Sequence, residues 1–169
     1  MTTSSDLLVD AFGRIREVVE DVVRGLNTDE LSTRLDEGAN SIGWLVWHLT
    51  RIQDDHIAAA AGIEQVWVAE GWSDRFDLPF ATDSTGYGHS PEDVEAVRVS
   101  AQLLTDYHQE VHENTVAYVA ALTDKDLEQI IDRGWTPPVT LGARLISVIG
   151  DDLQHAGQAA FIRGVLRRR

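Results

Sequence analysis

The chain repeats one pattern four times: apolar residues spaced three and four apart, sustained over stretches of helix length. In the first, Leu7, Leu8, Ala11, Phe12, Ile15, Val18, Val19, Val22, Val23 and Leu26 recur at helical spacing, with Ser4, Ser5 and Asp6 supplying acceptors for the helix start. A second opens after Glu37-Gly38-Ala39-Asn40 and runs from Ser41 to Ala61, where Gly62 ends it. The third follows Ser90-Pro91-Glu92-Asp93, a Ser cap with Pro at the first helical position, and continues to Leu122. The fourth starts at Thr140 and runs nearly to the end. No alternating strand pattern competes. The expected fold is therefore all-α, a four-helix bundle with a long loop, Ile63 to His89, between helices two and three. That loop is rich in Gly, Asp, Ser and aromatic residues, and its length suits a lid or binding loop. Short capped turns at Asn27–Leu35 and from Thr123 each close one long helix and precede the next, which reads as a weak repeat of two helical hairpins.

At 169 residues the chain can bury a core as one domain, 1–169. Its 28 acidic against 14 basic side chains give a formal charge of −14, which repels nucleic acid and anionic membranes. No run approaches the ~20 apolar residues that span a bilayer, and the N-terminus lacks the regions of a secretion signal, so the cytoplasm is the expected compartment. The terminal RGVLRRR carries too few charges to argue for membrane attachment. Cysteine is absent, which removes disulfides, zinc ribbons and any protein thiol nucleophile. His, Asp and Glu are then the available metal ligands.

Two helices place such ligands where apolar residues belong. The fourth carries the stripe Val148, Asp151, His155, Ala159, Ile162, Leu166, and the second carries Leu45, His48, Ile52, Asp55, Ala59. An unpaired ionised carboxylate in a bundle interior costs roughly several kcal/mol, which a divalent metal offsets by supplying the missing charge. Residues four apart stack one turn above each other, so Asp151 and His155 point at one locus. His48 completes a two-His, one-carboxylate set with positions left open for water or substrate, as in catalytic sites. Satisfied core polar groups are the competing explanation.

Asp152, three residues before His155, is the rival to Asp151. His108 and His112, again four apart, form a rival pair; His108 falls on the stripe Val97, Ala101, Leu104, His108, Val111, Thr115. A core histidine bonded to a carboxylate such as Asp55, or to backbone, is its other reading. Asp55, seven residues after His48, is a candidate to orient a ligand, or a surface acid. Arg163 is a candidate contact for an anionic substrate, or a partner for the helix dipole. His56 and His89 read as solvated, with His89 close enough to border the site. Trp44 and Trp47 flank His48 and read as packing residues.

Through NSIGWLVWHLTRIQDDH, GWSDRFDLPF to GYGHS, and GDDLQHAGQAAFIRG, the chain resembles the DinB-like (YfiT-like) superfamily of metal-binding four-helix bundles over essentially its whole length. Within it, the chain looks like the actinobacterial mycothiol S-transferase branch. The resemblance implies metal ligands at His48, Asp151 and His155, with none on the third helix, and many members carry His where this chain has Asp151. It also implies a divalent metal, foremost zinc, activating mycothiol as co-substrate for conjugation to an electrophile in detoxification. The partners expected are the small-molecule thiol and electrophile and a second copy in a homodimer. Metal-dependent hydrolysis or isomerisation on the same site, and a non-catalytic dimeric helical module, stand as alternatives.

Overall fold

The computed structural model describes residues 1–168; Arg169, the last of the terminal arginines, lies outside them. Four long helices form the bundle: α1 (Ser4–Val23), α3 (Ile42–Ala61), α7 (Ala101–Ala120) and α9 (Leu141–Leu166). Both α1 and α3 pack against α7 and α9, while α1 and α3 lie across the core from each other. Phe12, Ile15 and Val19 meet Leu45, Trp47, Leu49, Leu104, Tyr107, Leu145, Val148 and Ala159 in that core. Each long helix starts where a hydroxyl satisfies an orphan amide: Thr3 for α1, Ser41 for α3, Ser100 for α7 and Thr140 for α9. The cap of α1 is thus Thr3 rather than the serines after it, and Asp6 bonds back to its amide to complete a capping box. Gly62, at φ 68°, ends α3 in the left-handed conformation that glycine adopts without strain.

The two hairpins of the expected repeat are both present. Short helices α2 (Thr28–Ser32) and α8 (Asp124–Leu127) each carry a capping box, from Asn27 and Thr123, and each joins one long helix towards the next. The long connection is more ordered than its composition suggests, with α4 (Val66–Ala69) and α5 (Trp72–Phe76) inside it. Two expectations fail locally. The third helix does not run unbroken from Ser90: α6 (Pro91–Ala96) ends, Val97 and Val99 turn into the core, and Ser100 caps α7 afresh. Strands also occur, because Ile130–Asp132 (β1) and Val139–Thr140 (β2) pair antiparallel around the Gly134-Pro137-Pro138 turn. β-branched residues on both sides of a helix-incompatible turn explain the pairing. Among the described residues, no helix is long and apolar enough to cross a membrane.

α9 turns a different face inward from the one its apolar stripe suggested. Its buried seam runs Leu141, Leu145, Val148, Asp152, Ala156, Ala159, with Asp151 and His155 one step round, on the flank towards α3. Asp152 is wholly buried, both oxygens lack a partner among the described residues, and burial beside Asp151 pushes its pKa well above the usual carboxylate range. Burial without a charge partner favours its neutral form.

His108 is likewise a core residue, 1% exposed on α7, with Nε2 unpartnered among the described residues. Its ring lies over that of His112, at 6.3 Å between centroids and 18° between planes. Burial, with the nearby His112 and Arg16, lowers its pKa to about 3. An unfolded histidine takes up a proton near pH 6.5 while the folded one stays neutral, so stability falls as pH drops through that window towards 3. His108→Leu removes this proton uptake. Its acid-unfolding curve, followed by far-UV circular dichroism, should be flatter than the parent's between pH 6.5 and 3; identical curves would contradict the buried neutral imidazole.

Candidate metal centre

α3 and α9 bring His48, Asp151 and His155 together, with one ligand-type atom from each within 4.8 Å of the others. Among the described residues this is the one cluster of its kind. His48 is buried in the wall of the bundle, whereas His155 and Asp151 keep 19% and 39% of their side-chain surface exposed. The helical i, i+4 spacing does what geometry requires, setting His155 Nε2 3.6 Å from Asp151 Oδ1. The His48 and His155 rings meet edge to face at 4.8 Å.

Each imidazole is oriented from behind. His48 Nδ1 donates to the carbonyl of Thr85, which can only accept, so the lone pair lies on Nε2. His155 Nδ1 donates to Gln158 Oε1 at 3.2 Å, with the same consequence. Burial pushes the His48 pKa below its ordinary value, against the opposing pull of Thr85 and Asp151, and favours the neutral ring that metals bind. Asp151 Oδ2 is buried without a partner among the described residues. Two imidazoles held through Nδ1, each with Nε2 left to face the cluster, and a carboxylate with an orphaned oxygen are donors suited to zinc or a similar divalent cation.

The long connection closes over this site. Gly86, at φ 97°, lies so near that a Cβ there would stand 2.7 Å from His48 Nδ1 and 3.1 Å from both Trp44 and Trp47. Trp44 stacks on His48 at 4.6 Å and 17°, and meets His155 edge-on at 6.4 Å. His89, read as solvated or bordering the site, does border it: it accepts from Trp44 Nε1 at 3.1 Å, approaches Ser84 Oγ at 3.0 Å and packs on Phe80. Trp47 is core, as expected, packed against Trp67, Phe80 and His89.

A buried network fastens that connection to the bundle. Asp54 accepts from the amides of Val66 and Trp67 at 2.9 and 2.8 Å, capping α4, whose own cap residue Gln65 makes no such bond. It also accepts from Tyr107 at 2.9 Å. Arg51, wholly buried, reaches Ser84 O at 3.2 Å and Gln65 at 2.8 Å, and lies over the Trp67 ring. The Ser84 and Thr85 carbonyls are thus held by Arg51 and His48, one turn apart on α3.

The remaining candidates lie elsewhere. Asp55 accepts from Gln65 at 2.7 Å and neighbours His56, so it orients no ligand; its neighbour Asp54 is the buried acid. Asp152 faces the core and His108 lies on α7, both outside the cluster. Arg163, 8% exposed, donates to the carbonyls of Val22 and Arg24 at 2.9 and 2.6 Å and closes the C-terminal end of α1 rather than facing a substrate at the cluster. Arg51, Asp54, Thr85, Gly86 and Gln158 were not singled out from sequence. Of these, Gly86 alone carried a signal that could have found it, the paired glycines of Gly86-Tyr87-Gly88, where backbone can approach a neighbour closely.

Comparison with known proteins agrees with the fold. A crystal structure described as that of a conserved protein from Enterococcus faecalis superposes with a TM-score of 0.93 at 29% identity, covering 100% of each chain. Among curated proteins nothing matches. The family model described as mycothiol-S-transferase matches residues 7–168, and the chain belongs to that family.

Proposed function

We propose that His48, Asp151 and His155 hold a divalent cation, foremost zinc, and that the protein conjugates mycothiol to an electrophile. The observation carrying this reading is the pair of imidazoles whose Nδ1 atoms are engaged by Thr85 and Gln158 while the cluster gathers beside Asp151. Histidines that ligate metals are oriented in this way, through a hydrogen bond from the other ring nitrogen. Membership of the mycothiol-S-transferase family supports the choice of thiol. A bound cation lowers the pKa of a thiol and supplies thiolate near neutral pH.

The chain's own residues then arrange the reaction. Trp44 covers one face of His48 and borders His155, limiting water on that side. Thr85 and Gln158 hold the ligand rings, and Asp151 contributes negative charge. In the net reaction the thiol S–H bond breaks, a sulfur–carbon bond forms, the leaving group departs with its bonding pair, and the proton passes to solvent. A chain without cysteine offers no thiol of its own for such electrophiles to alkylate. The cytoplasm, which keeps thiols reduced, is the compartment this chemistry needs.

The protein purified without chelator should contain one divalent cation per chain and conjugate monobromobimane to mycothiol. His155→Ala should lose both the metal, by elemental analysis, and the conjugation, while far-UV circular dichroism stays unchanged; full activity in that variant, or turnover without thiol, contradicts the proposal. Gly86→Ala places a methyl against His48 Nδ1 and should weaken zinc binding about 10- to 100-fold, the usual scale for disturbing a ligand's hydrogen-bond partner, as read by competition with a chelating dye. Parental affinity in that variant would show that the loop does not set the ring.

A further inference from the structure

Beside His155 a groove of about 420 Å³ runs between α9 and the segment leading into α3. Its apolar lining comes from Leu35, Ala39, Leu45, Gly157, Phe161 and Ile162, and its polar side chains are the two amides Asn40 and Gln158. Among the described residues no ionisable side chain lines it, on a chain whose formal charge is −14. Gln158 belongs to both sites: it lines the groove, and its Oε1 takes the Nδ1 hydrogen of His155. The groove therefore abuts one ring of the candidate centre. We propose that it binds the electrophile, and that the electrophile is an uncharged, largely apolar organic molecule. This rests on the transferase reading.

The chemistry of the lining selects that occupant. The volume falls within the range of about 300–1,000 Å³ that holds small organic ligands. Mycothiol, a thiol built on a sugar, would bring many hydroxyls into a wall with two amides to meet them, and each unmet hydroxyl costs binding. An anionic electrophile would find no cation in the lining. Apolar surface is what the groove offers: Phe161 stands 64% exposed beside it, ready to be covered. At Gly157 a Cβ would meet nothing within 4 Å among the described residues, so the bundle's own packing does not fill this position.

That open position supplies the test. Gly157→Leu projects a side chain into free space from the interior of α9, and leucine is the better helix former, so the melting temperature should hold or rise. Binding of 1-chloro-2,4-dinitrobenzene, a neutral aromatic electrophile, is measured by equilibrium dialysis of the full chain without thiol; the cysteine-free protein offers it no thiol. Gly157→Leu should weaken binding at least tenfold, and Phe161→Ala at least threefold. Excess iodoacetate, small and anionic, should not displace the probe from the parent. Zinc content, measured on the same samples, should match the parent. Zinc failing to bind to the parent would remove the transferase reading, whereas unchanged probe binding in both variants would remove the groove. A shift of oligomeric state in Gly157→Leu with probe binding intact would assign the groove to a second copy of the chain and overturn the proposal.

Discussion

His48 donates its Nδ1 hydrogen to the carbonyl of Thr85, and the direction this gives the ring determines what the bundle wall presents. The contact has two halves. The imidazole is fixed by α3, which is capped at Ser41 and packed on α9. The carbonyl belongs to a connection that would be mobile by composition, yet it is tied to the same helix through Arg51 and Ser84 one turn further on. Gly86 then lets the backbone lie flat against the ring, since any side chain there would strike His48 Nδ1. A short helix capped from a distant acid, Asp54, keeps the start of the connection equally firm. The candidate centre thus depends on loop backbone as much as on its three side chains.

α9 treats two adjacent acids in opposite ways. Asp151 looks towards α3, keeps part of its surface in solvent and stands beside His155. Asp152 looks into the core, where a charge would have no partner among the described residues, and burial favours its protonated form. One step of about 100° around the helix separates a carboxylate able to ligate from an acid enclosed in the core. Asp152 sits on the seam between Val148 and Ala156, so its tolerated burial is a feature of packing rather than of the cluster.

Much of this was legible in the sequence. Helical periodicity marked the four long helices because each buries a continuous face, and the starts at Ser41 and Thr140 were marked as well, whereas those of α1 and α7 were not. The i, i+4 pair on α9 and His48 on α3 were found because a charge on an apolar stripe is anomalous whatever the fold. Contacts made by backbone were not legible: no residue type encodes the Thr85 carbonyl, and an amide such as Gln158 looks like any surface residue. Spacing from His48 pointed to Asp55 where the buried acid is Asp54, and the α9 stripe pointed to Asp151 where the buried seam runs through Asp152, for one reason. Apolar spacing fixes a helix face only to within about one residue, and neighbouring acids then compete for a single inward direction. The break at Val97–Ser100 was hidden because Val97 and Val99 are as apolar as a helix face would be. Ile130 pairs with Thr140, and Asp132 with Val139, because the proline-rich sequence between the strands could not continue a helix.

The central claim is that three side chains of α3 and α9 share one cation through the ring nitrogens left free by Thr85 and Gln158. Anomalous diffraction at the zinc edge from crystals of the zinc-loaded protein tests it most directly. The account predicts one peak, about 2.0–2.1 Å from Nε2 of both His48 and His155 and about 2.0–2.2 Å from a carboxylate oxygen of Asp151. A peak at His108 or Asp152, bonding through Nδ1 of either histidine, or no peak at this cluster would contradict it.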